Sequence, residues 1–361
     1  MRILDKYILK ELMGPFFFGV ASFSSIFIAS SLLFRLTEYM TKYGASADML
    51  FRLFLCGLPE IINYTFPMSM LLAALLSFGR LSGSSEITAM KSGGISFYRL
   101  AAPVLIVGFV VSIFSVIWAE KVVPASKAEY THILNYEIKK DTKPKSQEHV
   151  VIKSLSGANL ERLTYARTFD EQTGVMKDIT IEEFESGELK RIQKAKTANW
   201  HSGAWYMQDG TILSVGEEGV QQTMTFAEQV LPVSASPKEI SLDQKGPDEM
   251  TLGELKQYIK ILEKQYLPTG KYWMEVYMRF SIPMASFFFV LIGVPLGMQP
   301  QRASSSIGLG ISIILIFVYY SVMTFMSGLG KGGVIPPLLA AIIPNLLCLI
   351  AGVWLMRKKN E

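Results

Sequence analysis

"FPMSMLLAALLSFGRLSGSSEITAMKSGGISFYRLAAPVLIVGFVVSIFSVIWA", Phe66–Ala119, holds two apolar runs with one short polar segment between them. Extended back to Ile61, the first run reaches Gly79 without a charge, and the second does the same from Leu100 to Ala119. Each matches the ~20 residues an α-helix needs to cross a bilayer core. The segment between them is more than a bare loop. Ser82 or Ser84 can cap a helix start. Glu86 falls in the first turn, where the helix dipole favours a carboxylate. Lys91 and Gly93 suit the end, with Gly93 in a left-handed C-cap. A stiff helix over residues 82–93 is expected here. It is either a joint between two spans or a docking helix that a partner grips and pushes.

The same pattern repeats along the chain. Only 18% of the 361 residues are charged, against about 25% in a typical soluble domain. The shortfall is concentrated in uncharged runs: Leu12–Phe34, Ile61–Gly79, Leu100–Ala119, Phe280–Gln301, Ala303–Gly330 and Gly332–Met356. These read as six transmembrane helices. The first exceeds the ~7–15 residues of a signal h-region and lacks a small-residue cleavage site, so it is kept as a span. Before it, "MRILDKYILKE" places Ile3, Leu4, Tyr7, Ile8 and Leu12 on one helical face. That pattern suits an amphipathic helix at the inner membrane surface, or an extension of the first span. Pro59 and Pro67 suggest a bent entry to the second span.

Lys and Arg in short loops orient such a protein. One set of flanks holds Arg2, Lys6, Lys10, Arg80, Lys91, Arg99, Arg302, Arg357, Lys358 and Lys359; the other holds Arg35, Lys42, Arg52 and Lys331. The imbalance puts both termini in the cytoplasm and the long segment between spans 3 and 4 outside. A net charge of +4, carried mostly beside the spans, suits anionic lipid and not nucleic acid. Cys56 and Cys348 both lie in apolar sequence, so the outer segment folds without disulfides.

That segment, 124–275, changes character. "HVVIKSL", "LERLTYARTF", "MKDITIEEFE", "LKRIQKAKTANW", "AWYMQDGTILSV" and "VQQTMTFAEQVL" are β-prone and separated by turn residues such as Asp209-Gly210. They predict an antiparallel sandwich or roll. Ile179, Ile181 and Phe184, and Trp205 with Met207, read as alternating inward positions. Thr251 and Glu254 then form a capping box ahead of a stripe of Leu252, Leu255, Tyr258, Ile259 and Leu262. The layout is 1–123 (spans 1 to 3), 124–275 (β domain and linker helix) and 276–361 (spans 4 to 6).

Several chemistries find no support. "GLGKGG", Gly328–Gly333, departs from the phosphate-loop spacing and reads as a turn between spans 5 and 6. His132, His149 and His201 are too scattered for metal-ligand spacing. No span contains a charge, which argues against a proton relay. Arg35 and Lys42 follow span 1 at its outer end, and Arg279 holds the outer end of span 4. All three are either snorkelling cations or a cationic rim for a phosphorylated lipid.

Taken together, "RILDKYILKELMGPF", "GRLSGSSEITAMKSGGIS", "MTLGEL" and "RFSIPMASFFFVLIGVPLG" resemble the LptF/LptG family of lipopolysaccharide export permeases. The order of three spans, β domain and three spans fits as well. The resemblance covers nearly the whole chain. It implies an α+β membrane protein of the Gram-negative inner membrane, with six transmembrane helices and a periplasmic β-jellyroll inserted between helices 3 and 4. It also implies a second LptF/LptG-like subunit, in a hetero- or homodimer, and an LptB-like ATPase dimer that holds ATP and Mg. An LptC/LptA-like jellyroll would receive the lipopolysaccharide. The helix between spans 2 and 3 would be the coupling helix, with Glu86 as the family's ATPase-contacting glutamate and Ser84 and Ser85 beside it. Arg35, and Lys42 less directly, would meet lipid phosphates. Ser305, Ser306, Gly308 and Gly310 would let span 5 make a close, separable gate contact. "IGVPLG" leans toward the LptF side of the family. Two readings of another class stand beside this one: a membrane-anchored β domain that binds lipid as scaffold or sensor, and a membrane-bound lipid-modifying enzyme.

Overall fold

The computed structural model describes residues 3–139, 147–156, 159–170, 173–185, 188–216, 219–231, 233, 235–237, 239–240, 246–264, 267–298 and 305–360. The chain divides into two compact units, Met1–Leu134 with Gly270–Glu361, and Asn135–Thr269.

The first unit is helical. Helix α1, Ile3–Phe27, passes through a π-helical turn, Ile28–Leu32, into α2, Leu33–Tyr43. Helices α3 (Ala47–Gly83), α4 (Glu86–Ser92), α5 (Phe97–Lys121) and α6 (Val123–His132) follow. Beyond the second unit, whose helix α7 is Leu252–Lys264, come α8 (Gly270–Gly297), α9 (Ser305–Lys331) and α10 (Pro337–Asn360). Among the described residues, six segments are long and apolar enough to cross a membrane: Ile3–Tyr43, Ala47–Gly83, Phe97–Ile138, Gly270–Gly297, Gly308–Lys331 and Pro337–Lys359.

Residues from Ile3 onward form no separate surface helix; they are the first turns of α1. Ile8 and Leu12 are fully buried and anchor that end of the bundle core, while Ile3 is exposed. Pro59 and Pro67 lie inside α3 without ending it. The carbonyl of Pro59 accepts a hydrogen bond from Trp118 Nε1 at 3.0 Å. Most of the "GLGKGG" stretch is the last turn of α9, and the chain turns only at Gly332 and at Gly333, where φ is +74°.

Small residues bring the helix axes together, as expected where lipid supplies no hydrophobic drive between helices. Gly293 and Gly297 on α8 sit against the backbone of α3. A Cβ on Gly297 would lie 2.9 Å from the Leu75 carbonyl oxygen and from Phe78 Cβ. A Cβ on Gly19 of α1 would meet Ser69 of α3 at 3.1 Å, and Ser24 and Thr65 share a hydrogen bond of 3.3 Å across the same pair. Gly308 of α9 faces Leu75 and Leu76, whereas Gly310 has open space; the side chains of Ser305 and Ser306 lie outside the described residues.

A polar network ties α8, α9 and α10 in the apolar interior. Asn345 Nδ2 donates to the Ser281 carbonyl at 2.8 Å and to Ser281 Oγ at 2.9 Å, and Tyr319 Oη donates to Asn345 Oδ1 at 3.0 Å. Replacing Asn345 with leucine would strand the Tyr319 hydroxyl. Asn345→Leu is expected to destabilise the bundle by about 1–2 kcal/mol. An SDS-unfolding titration of the purified chain would read this as an earlier midpoint.

The second unit is built on one antiparallel sheet of six strands in sequence order. The strands are β1 (Gln147–Ser156), β2 (Asn159–Asp170), β3 (Val175–Glu185), β4 (Glu188–His201), β5 (Ala204–Gly216) and β6 (Gly219–Leu231). Each predicted stretch became one strand. Among the described residues this is the roll alternative, a meander with no second sheet to make a sandwich. One row across it, Val150–Ala166–Ile179–Ala195–Gly210–Phe226, lies on the core face. The Phe226 ring occupies the space a Gly210 side chain would need. Ile179, Ile181, Trp205 and Met207 are fully buried, but Phe184, of opposite parity to Ile179 and Ile181, is half-exposed. The neighbouring row carries Arg167, Asp178, Lys196 and Asp209, with Arg167–Asp178 and Lys196–Asp209 ion pairs of 3.6 and 3.9 Å. Asp178 and Asp209 have φ of 50° and 53°. Breaking the pleat in two strands along one row is a way to curl a sheet.

The capping box ahead of α7 is formed. Glu254 N donates to Thr251 Oγ1 at 3.3 Å, and Thr251 N donates to the Glu254 carboxylate at 2.8 Å. Leu255, Tyr258, Ile259 and Leu262 are buried.

Candidate functional sites at the two ends of the bundle

One end of the bundle gathers the start of α1, the α3–α4–α5 corner, and the ends of α8 and α10. Ion pairs join Asp5 to Arg99 at 2.6 Å and Glu11 to Arg80. Ser77 Oγ donates to the Glu11 carbonyl at 3.0 Å. Lys91 Nζ donates to the Lys359 carbonyl at 3.3 Å, and Lys359 Nζ to the Met298 carbonyl at 2.7 Å. The two chain ends and the α4 corner therefore share a face.

Helix α4 is shorter and differently capped than its sequence suggests. Ser82 and Gly83 still belong to α3. The N-cap is Ser85, in the left-handed region at φ 62°, with no side-chain cap bond. Ser84 instead donates from Oγ to the Arg80 carbonyl at 3.0 Å and to Glu86 Oε1 at 2.9 Å. Ser84 closes α3 as its C-cap, so the start of α4 falls to the next residue. At the other terminus Gly93 has φ −77°, and the left-handed residue is Gly94 at φ +84°. Ile87 is buried in the bundle core beside Ile8 and Leu12. Glu86 is half-buried, and its second oxygen, Oε2, accepts from Tyr7 Oη at 2.6 Å. Tyr7 lies on the apolar stripe of α1, and its hydroxyl is a site feature that spacing along the chain does not reveal.

At the opposite end, Arg35 on α2 lines a cavity of about 380 Å³ with Ser31, Gly57, Glu60, Tyr64, Lys127 and Tyr130 among its walls. Lys127 pairs with Glu60 at 2.9 Å. The buried Tyr130 hydroxyl faces Arg35 and Tyr39. Lys42 is exposed two turns further along α2, its ammonium 5.5 Å from the Tyr43 ring. Arg279 is placed differently. Its side chain is 9% exposed and sits against Glu120 at 3.5 Å and Glu275 at 3.8 Å. Two carboxylates that close hold it as a tie between α5 and α8, and not as a surface cation open to a headgroup.

Six apolar helices with a β unit inserted between the third and the fourth define a multi-pass membrane protein. The chain belongs to the lipopolysaccharide export system permease LptF/LptG family, whose model matches residues 6–358. It is 21% identical, over 374 residues and the full length of both chains, to the lipopolysaccharide export system permease protein LptG of Haemophilus influenzae. It is likewise 21% identical over 371 residues to LptG of Escherichia coli K12, covering 99% of each chain. Both relatives carry the LptG name, which lends no support to the lean toward LptF drawn from "IGVPLG". Family membership makes the chain a permease subunit of a lipopolysaccharide export system and a multi-pass inner-membrane protein.

Proposed function

We propose that this chain is the membrane subunit of an ABC transporter that lifts lipopolysaccharide out of the inner membrane and passes it to a periplasmic bridge. The observation that carries the reading is the family match across residues 6–358. Both termini and α4 face the cytoplasm in this reading, and the β unit lies in the periplasm. The Lys and Arg imbalance between the two sets of loops supports that orientation. Power comes from a separate LptB-like ATPase that binds ATP and Mg and grips α4 at Glu86. A second LptF/LptG-like subunit completes the cavity, and an LptC/LptA-like protein extends the β path.

The energetics favour such an arrangement. Exposing an acyl chain to water costs roughly 0.8 kcal/mol per CH₂, so a multi-chain lipid drawn out bare would cost tens of kcal/mol. A continuous apolar route and an external energy source remove that barrier. Arg35 supplies the charge for lipid phosphates, with Lys42 further along the same helix.

Affinity purification of the full chain from native membranes, followed by protein and lipid mass spectrometry, tests the proposal. An ATPase and lipopolysaccharide should co-purify; recovery of neither would sink it. Arg35→Glu should lower the lipopolysaccharide bound per chain about fivefold by replacing attraction to phosphate with repulsion, and unchanged binding would remove Arg35 from the site.

A further inference from the structure

We propose that Tyr7 is a positioning residue for Glu86, one that carries the state of α4 into span 1. The proposal rests on the coupling role given to Glu86 above. Helix α4 has seven residues and begins on the left-handed Ser85 without a side-chain cap. So short a helix does not hold its own conformation in isolation. The direction of the Glu86 carboxylate is therefore set by what bonds to it. Ser84 holds one oxygen from two residues away. Tyr7 holds the other from 79 residues away, on α1.

A carboxylate has about four acceptor positions. Glu86 therefore accepts both hydroxyls and still has room for an ammonium or guanidinium from a partner. The group a partner would grip is thus already bonded to span 1. Asp5 and Glu11 fix the same turns of α1 to Arg99 on α5 and Arg80 on α3. Tyr7, between them, ties α1 to α4. A displacement of α4 pulls on a helical segment that leads, after about 40 Å at 1.5 Å per residue, to Arg35 at the other end. Loss of the Tyr7 hydroxyl would leave the docking anion in place but free to turn.

The test uses the full chain, co-purified with its ATPase and reconstituted in phosphatidylethanolamine–phosphatidylglycerol vesicles containing lipopolysaccharide. Lipid release and ATP hydrolysis are measured for Tyr7→Phe, Glu86→Gln and the double variant. Tyr7→Phe should lower lipid released per ATP about tenfold or more, the loss expected for one hydrogen bond to a charged group, with ATP hydrolysis within about twofold of the parent. Added to Glu86→Gln, the same change should cost less than about twofold more, because a residue acting through Glu86 is not additive with it. Hydrogen exchange of Glu86–Ser92 should quicken in Tyr7→Phe, a readout that needs no transport. Full coupling in Tyr7→Phe beside an uncoupled Glu86→Gln overturns the role of Tyr7 alone. Full additivity overturns it as well. Normal coupling in Glu86→Gln overturns the docking assignment and the Tyr7 proposal together.

Discussion

Glu86→Lys is expected to abolish lipopolysaccharide release while leaving a chain that folds and enters the membrane. The substitution places a cation where, on the function proposed above, a partner cation docks. It also takes the acceptor away from Tyr7 Oη at 2.6 Å and from Ser84 Oγ at 2.9 Å. Losing a charged contact at an interface costs about 2–5 kcal/mol, and reversing its sign adds repulsion. Release per ATP should therefore fall by at least about thirtyfold. Folding should survive, because Glu86 is half-buried and the apolar anchor of α4 is its neighbour Ile87. Membrane yield and elution volume report folding, and a vesicle assay reports release. Normal transport by this variant would end the coupling assignment.

Gly297→Leu is expected to have the largest effect on folding. The α8 backbone at Gly293 and Gly297 lies directly on α3. A first side-chain carbon at Gly297 meets a carbonyl oxygen and Phe78 Cβ at 2.9 Å, and one at Gly293 meets Ala74 Cβ at the same distance. A carbonyl within a helix cannot rotate away as a side-chain tip can, so the two helices must separate. Overpacking of a well-filled core costs typically about 1–3 kcal/mol. Here the α3–α8 contact is central to the bundle, and the cost should reach about 3 kcal/mol or more. Purified chain should fall sharply in yield, and what survives should unfold at lower SDS. Gly310→Leu makes a useful comparison, since a Cβ there meets nothing within 4 Å. Equal stability of Gly297→Leu and Gly310→Leu would refute the close-packing account.

Features carried by local sequence were legible without a structure. Uncharged runs located all six spans, because the bilayer requirement acts on each run by itself. Turn residues located all six strands for a similar reason. The Thr251–Glu254 box formed as written, since both of its partners lie within one turn. What stayed hidden depends on residues far apart in the chain. Arg279 has a local partner in Glu275, but the carboxylate that ties it to another helix, Glu120, is 159 residues away. Tyr7 read as part of an apolar stripe for the same reason. Gly293 and Gly297 were visible only as part of a family signature; their packing role needs the α3 backbone. Helix α4 starts from Ser85, one to three residues past Ser84 or Ser82, and it ends at Gly93 as expected, with the left-handed residue one further on at Gly94. Ser84 is the C-cap of α3, and the left-handed turn at Ser85 that follows it depends on how α3 and α4 pack.

The π-helical turn in span 1 has a rotational consequence. Ser24 and Leu32 are eight residues apart and both buried. In an uninterrupted α-helix they would point about 80° apart. A π-turn absorbs one extra residue, which brings them to within about 20°. Leu32 then meets Gly57, where a Cβ would touch Leu32 Cδ1 at 2.9 Å, and Leu36 follows it into the interior. The turn thus resets the angular phase of everything after it. The heading of Arg35 into its cavity is the register of α1 plus the extra winding at Ile28–Leu32.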